Sequence, residues 1–219
     1  MSDSPYTYSE AIVPGLVAAL STERFETYLV AAGGANTVGG LQRYMWNAAI
    51  AAKFHGPLHV LEVTLRNAIH GRMSDKYGGN WFDLGHLGGP EMRVVTETRD
   101  FLVARNCTPT PGKVVAELPL HFWVGLFAMR HNPLWKSDLG RLFTPRIDRN
   151  DVHEDLDRLR TLRNRIAHHE PILNRRLMDD MARIDRLVSA LSPAMGDWLR
   201  WHHRVDVAFG TPPDKVCTF

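Results

Sequence analysis

Apolar residues recur at intervals of three and four along most of this chain, and that spacing constrains its fold more than any other feature. One such stripe comprises Leu58, Leu61, Leu65 and Ile69. A stripe of this kind covers one face of a helix, which has 3.6 residues per turn. No segment alternates apolar and polar residues over the length of a strand. The sequence therefore predicts an all-α protein, a helical bundle.

Turn signals set the predicted ends of the first helices. Ser21 is a typical helix start, and the glycine pair 33–34 stops the segment that follows it. A longer helical segment opens at the glycine pair 39–40. We predict that Pro57 interrupts this segment, because proline lacks the amide proton that an inner helical turn requires.

Prolines also shape the second half of the chain. The apolar run 114–129 predicts a buried helix, which Pro119 either bends or begins. A further helix is predicted to begin at Asp151 and to end or kink at Pro171, since the residue before a proline resists the α conformation.

The length of 219 residues predicts one domain, or one domain with an extension. Residues 1–15 are predicted to form an irregular arm, and residues 193–219 a C-terminal tail. Between them, residues 16–192 are predicted to form a single helical domain. A content of 44% hydrophobic and 23% charged residues is typical of soluble globular proteins.

Charge and cysteine content restrict the kinds of partner and compartment. The net charge of +2 excludes a histone-like basic field, so any affinity for nucleic acid must depend on where the charges lie. Two distant cysteines, Cys107 and Cys217, predict neither a disulfide framework nor a cysteine-type zinc site. No leader pattern or membrane-spanning run is present in the sequence. We expect a cytoplasmic protein with no membrane partner.

The segment 162–171, which reads Leu-Arg-Asn-Arg-Ile-Ala-His-His-Glu-Pro, concentrates more usable chemistry than any other. The guanidinium of Arg163 can bind two phosphate oxygens at once. The amide of Asn164 can orient an oxygen, and an imidazole such as that of His168 can move a proton near neutral pH. Together these groups are suited to handling a phosphodiester.

Five segments resemble, in the same order, those of the bacterial Abi-like proteins of the AbiD/AbiF type. That family is implicated in abortive phage infection and belongs to the HEPN superfamily. The resemblance covers roughly residues 20–190. Its segments are 44–47, 61–69, 79–82, 115–123 and 162–171. The HEPN signature is an arginine, usually followed by a polar residue, with a histidine after four to six intervening positions. Arg163, Asn164 and His168 match it with four residues intervening.

The resemblance implies a HEPN-like helical bundle with an N-terminal helical extension. It also implies a homodimer that brings two Arg-His pairs together as a metal-independent endoribonuclease, a toxin of antiviral defence. Arg163, Asn164 and His168 would be its catalytic residues, RNA its substrate, and no cofactor or metal would be needed. An inhibitory RNA or protein partner would restrain such a toxin.

Helical geometry leaves two questions open. Five residues correspond to about 140° of rotation on a helix, so Arg163 and His168 do not share a face. Their side chains converge only if the helix is distorted before Pro171, or if they meet across a dimer interface. Arg165 and His169 are four residues apart and do share a face, which makes His169 the alternative proton-transfer residue.

Other polar residues have supporting roles in this interpretation. Glu62, Arg66 and Asn67 form a second polar group, and Arg66 is read either as a structural residue or as a partner of the active site. Arg160 and Arg165 belong to a basic cluster that acidic residues dilute, and we expect them to contact the RNA backbone.

Two other interpretations compete with the ribonuclease. The first is a HEPN module that binds RNA or protein without cleaving RNA. The second is a helical scaffold in which Arg163 forms a salt bridge with an acidic residue. The candidates for that salt bridge are Asp155, Asp157 and Glu62.

Overall fold

A computed structural model describes residues 8–210, with the side chains of residues 207–209 left out. The helices are α1 Val13–Leu20, α2 Thr22–Ala31, α3 Thr37–Tyr77, α4 Gly89–Ala104, α5 Pro111–Glu117, α6 Leu120–Gly125, α7 Asn132–Ser137, α8 Arg149–Ala167, α9 Leu177–Leu191, α10 Pro193–His202 and α11 Val205–Gly210. Over the described residues there is no strand, so the predicted all-α fold is confirmed. Within the same residues, no helix has both the length and the apolar character to cross a membrane.

The described residues form two compact units. The first takes its residues from the ranges Met1–Gly56, Asn164–Met178 and His203–Phe219, and the second from Pro57–Arg163 and Asp179–His202. In the first unit, Phe25, Tyr28 and Leu41 form a small core. The second unit contains most of the large buried side chains, among them Trp81 and Trp123. Helices α3 and α8 each contribute residues to both units.

Helical residues lie inside both segments that the sequence predicts as arm and tail, and the predicted tail contains all of α10 and α11. Helix α1 begins at Val13, with Pro14 in its first turn, and α10 begins at Pro193 itself. Proline is well suited to the first helical turn, where no amide proton is needed. The outer parts of the predicted arm and tail, 1–7 and 211–219, lie outside the described residues. The predicted domain boundaries stay a prediction.

Pro57 does not interrupt the long helix, contrary to prediction. Helix α3 runs through Pro57 without a break. An inner proline costs a helix about 3 kcal/mol. Phe54 and Leu58 on either side of it are buried, and burial of one large apolar side chain stabilises by about 1.5–3 kcal/mol. Burial along this face is therefore sufficient to offset the lost hydrogen bond.

The apolar run 114–129 forms two short helices, α5 and α6, where a single buried helix was one prediction. Leu118 has φ −62° and ψ 126°, the extended conformation that the following proline favours. Pro119 is the N-cap of α6, so the alternative that it marks a helix start is confirmed. The indole Nε1 of Trp123 donates to the Leu118 carbonyl at 3.2 Å, which satisfies a backbone group that the break leaves unpaired.

Helix α8 begins two residues before the predicted start at Asp151. The Asp148 carboxylate accepts from the Asn150 amide at 2.8 Å, and the Asp148 carbonyl accepts from the Val152 amide at 3.0 Å. Asp148 therefore caps the helix that was predicted to begin at Asp151, because a side-chain acceptor just before the first turn satisfies an amide that has no helical partner.

A buried carboxylate organises the second unit. Asp138 has no exposed side-chain surface, and it accepts from Lys76 Nζ and Tyr77 Oη at 2.9 Å, from Ser137 Oγ at 2.7 Å and from Arg72 Nη2 at 3.2 Å. Burial alone would raise the pKa of Asp138. The hydrogen bonds from Ser137, Lys76 and Tyr77 outweigh it and lower the pKa to about 2. This carboxylate joins the end of α3 to the end of α7.

We predict that Asp138→Asn destabilises the protein at neutral pH. The shift from 3.8 to about 2 corresponds to about 2 kcal/mol of stability. Because the folded-state pKa is lowered, this stability is present above the unfolded pKa and is lost as the pH falls through the folded one. Urea unfolding should show a gap in unfolding free energy between wild type and variant that narrows as the pH falls from about 5 to about 1. A gap independent of pH would contradict this assignment.

Close packing of α9 and α10 gives a second prediction. A Cβ at Gly196 would lie 2.1 Å from Ser189 Oγ and 2.9 Å from Ser189 Cα, and backbone cannot easily move away. Gly196→Ala should cost about 1–3 kcal/mol. The matched control is Gly71→Ala, where a Cβ meets nothing within 4 Å and the helix should gain about 0.5–1 kcal/mol. Thermal melts of the two variants should shift in opposite directions.

Candidate functional site

The predicted catalytic residues lie at the C-terminal end of α8. Leu156, Leu159 and Leu162 are buried and turn one face of the helix into the second unit. Arg163 follows them and is exposed, and it is the last residue of that unit in this stretch. Asn164 is the first residue of α8 that belongs to the first unit, and it is half-buried.

Arg163 has no hydrogen bond or ion pair among the described residues. Two of its predicted salt-bridge partners are bound elsewhere. Asp157 pairs with Arg160 at 2.8 Å, and Asp155 pairs with both Arg183 and Arg186. Within residues 8–210, Glu62 forms no ion pair with Arg163 either. The interpretation of Arg163 as one half of a structural salt bridge is therefore wrong.

Helix α8 ends in a Schellman motif. The Glu170 amide donates to the Arg165 carbonyl at 2.8 Å, and the His169 amide donates to the Ile166 carbonyl at 3.1 Å. This pairing requires a left-handed residue after the helix, a position that usually holds glycine. Here it holds His169, with φ 56°. The helix stops at Ala167, well before the proline that was predicted to end or kink it.

The motif places two adjacent exposed histidines on one tight turn. His168 is the first residue after the helix, and its amide donates to the Asn164 carbonyl at 2.9 Å. Neither imidazole has a hydrogen-bond partner among the described residues, and no side-chain hydrogen bond joins Asn164 to His168 there. The helix thus ends before Pro171, and within residues 8–210 no hydrogen bond joins Arg163 to His168. Their convergence on one phosphate stays a prediction.

Two residues outside the motif bind the backbone of this turn. Arg24 Nη1 donates to the His169 carbonyl at 2.9 Å, and the Asn47 side-chain oxygen accepts from the Ile172 amide at 2.8 Å. Neither residue was among those predicted for the site. Asn47 lies within a segment that resembles the Abi-like proteins, but nothing in the local pattern indicates its partner 125 residues away.

The second polar group, Glu62, Arg66 and Asn67, lacks the ion pair that the spacing of Glu62 and Arg66 suggests. Glu62 and Arg66 are four residues apart on α3, yet within the described residues they form no ion pair. Arg66 Nη1 donates to the Ala116 carbonyl at 3.2 Å, near the end of α5. Arg66 therefore ties α5 to α3, which supports its structural interpretation. Asn67 is exposed.

The two arginines expected to contact RNA have protein partners. Arg160 is paired with Asp157. Arg165 Nη1 donates to the Pro171 carbonyl at 3.1 Å, and its Nε lies 3.9 Å from the Glu170 carboxylate. Both remain partly exposed, so contact with RNA stays a prediction for each of them.

No protein-family model, curated protein or solved structure matches this chain. The likeness to the Abi-like proteins therefore stays a resemblance. In the part of the chain that the structure describes, no three side chains of His, Cys, Asp or Glu are grouped as they would be to hold a metal ion.

The left-handed turn gives a prediction that separates the two histidines. His169→Gly should stabilise the protein by about 1 kcal/mol, because glycine adopts positive φ without a Cβ clash. His168→Gly, at a residue without positive φ, should instead cost about 0.5–1 kcal/mol. Chemical unfolding of the two variants gives both values. Equal destabilisation by the two changes would contradict the role of His169 in the cap.

Proposed function

We propose that the protein is a metal-independent endoribonuclease of a phage-defence system that cleaves single-stranded RNA. The observation that carries the proposal is that Arg163 is exposed and has no partner among the described residues. By contrast, Arg158 and Arg160 on the same helix form ion pairs with carboxylates of that helix. A cation left unpaired, five residues before an exposed histidine, suits the binding of a phosphate.

The proposed chemistry needs no nucleophile from the protein. The ribose 2′-oxygen forms a bond to the neighbouring phosphorus as the bond to the 5′-oxygen breaks. The products are a 2′,3′-cyclic phosphate and a 5′-hydroxyl. The proton of the 2′-hydroxyl goes to a general base, and the leaving oxygen receives one from a general acid. No oxidant, reductant or water is consumed.

Each motif residue has one role in this scheme. His168 transfers the proton, and Arg163 stabilises the additional negative charge on the phosphate oxygens in the transition state. Asn164 holds an oxygen of the phosphate or orients the imidazole. One imidazole cannot be base and acid at the same moment, so the proposal includes a homodimer in which a second copy of the motif supplies the other group.

The decisive experiment incubates purified protein with end-labelled single-stranded RNA in EDTA. We expect cleavage that leaves a cyclic phosphate, and a rate at least about 100-fold lower in Arg163→Ala and in His168→Ala. Both side chains are exposed, so both variants should keep their stability within about 0.5 kcal/mol. Expression of the wild type should arrest bacterial growth, and expression of either variant should not.

Matched controls separate the motif from general charge effects. Arg158→Ala removes an exposed arginine of the same helix that is paired with Glu154, and it should cleave at the wild-type rate. DNA and 2′-O-methylated RNA of the same sequence should remain intact, because they lack the attacking hydroxyl.

Cleavage that survives in both motif variants would refute the proposed active site. Salt-sensitive binding of RNA by the wild type, without a cyclic-phosphate product from any RNA, would instead identify the alternative, a module that binds without cleaving. Binding to RNA phosphates should weaken steeply between low and moderate salt.

A further inference from the structure

The turn that carries the two histidines is held from outside the motif, and both holding residues belong to the first unit. We propose that Asn47 and Arg24 are positioning residues of the candidate active site, which fix the backbone that orients His168. This inference rests on the proposed function for its catalytic consequence. Its structural part, the ordering of the turn, stands on the contacts of the turn itself.

Asn47 makes the more deeply buried of the two contacts. The residue is only 6% exposed and lies inside α3, where an amide neither favours the helix nor is stable without a partner. The partner is the Ile172 amide, at 2.8 Å. Ile172 is itself buried, so this hydrogen bond is shielded from water and fixes the chain immediately after Pro171.

Arg24 holds the other side of the turn. Its Nη1 donates to the carbonyl of His169, the residue with positive φ. The left-handed conformation is unfavourable for a residue with a Cβ, so it persists only where surrounding contacts determine it. A charge-assisted hydrogen bond to that carbonyl is such a contact. Farther along, Leu173 packs against the core of the first unit.

The histidines need this backbone support because, within the described residues, no hydrogen bond holds their imidazole rings. Catalytic imidazoles are commonly oriented by a hydrogen bond from a second side chain. Over the described residues, neither His168 nor His169 has such a partner. The backbone then fixes where each side chain begins, and so which positions its imidazole can reach. A displacement of about 1 Å at a reacting group can cost about 100-fold in rate.

The test measures cleavage and turn order in the full-length protein. We expect Asn47→Ala to lower kcat about 10- to 100-fold while KM changes less than about threefold. The Ile172 amide should exchange with deuterium faster in this variant. Asn47→Asp keeps an oxygen that can accept from this amide, and it should recover part of both losses. Arg24→Ala should have a smaller effect in the same direction, and Arg24→Lys should reverse it.

A control for stability comes from the other unit. Ile69→Val removes one methyl group from a fully buried side chain of α3. It should lower the melting temperature without changing kcat or the deuterium exchange of the Ile172 amide. If Ile69→Val lowers kcat as much as Asn47→Ala does, the effect is one of stability and the positioning role is refuted.

Two further outcomes would overturn the inference. Unchanged exchange of the Ile172 amide in Asn47→Ala would show that the hydrogen bond does not order the turn. Faster exchange with an unchanged kcat would show that turn order does not position the histidine. If the wild type cleaves no RNA, the proposed function fails instead. The exchange data and the imidazole NMR signals of His168 in Asn47→Ala then decide the structural part alone, with unchanged signals refuting it.

Discussion

The polar contacts of helix α3 are the constraint on which the described structure depends most. In the first unit, Asn47 binds the Ile172 amide, just after the motif. In the second, Arg66 binds the end of α5, and Lys76 binds the carboxylate at the end of α7. Each contact joins α3 to a segment at least 50 residues away in sequence. Apolar burial makes the helix stable, but these directional bonds determine which segment lies against which turn of it.

The sequence predicted the fold class because the apolar stripe of a helix is a local property. Its errors at prolines have two different causes. Pro57 is a helix breaker in isolation, yet it lies inside α3 because apolar side chains around it are buried. Pro14 and Pro193 lie in first turns, where proline is tolerated, so segments predicted as arm and tail contain helix. The burial around Pro57 depends on distant parts of the chain, so a local pattern does not contain it. Proline in a first turn is a local signal, which the predicted arm and tail did not take into account.

The candidate site was predictable in part for the same reason. The motif itself is contiguous, so spacing and chemistry identified it. What holds the motif is not contiguous. The bond between Asn47 and Ile172 joins residues that no local window contains together. The left-handed cap was also missed, because the usual signal for it is glycine and this chain has His169 there. Only the structure shows which arginines form ion pairs, because Asp155 pairs with two arginines of α9, a distant helix in sequence.

The environment of Asp138 has a consequence for how this chain tolerates change. One buried acceptor is shared by four side-chain donors, and two of those donors, Arg72 and Lys76, are partly exposed. Loss of one donor leaves the carboxylate with three others, whereas loss of the carboxylate leaves all four without their common partner. We therefore expect the fold to tolerate substitution of a single donor better than substitution of Asp138.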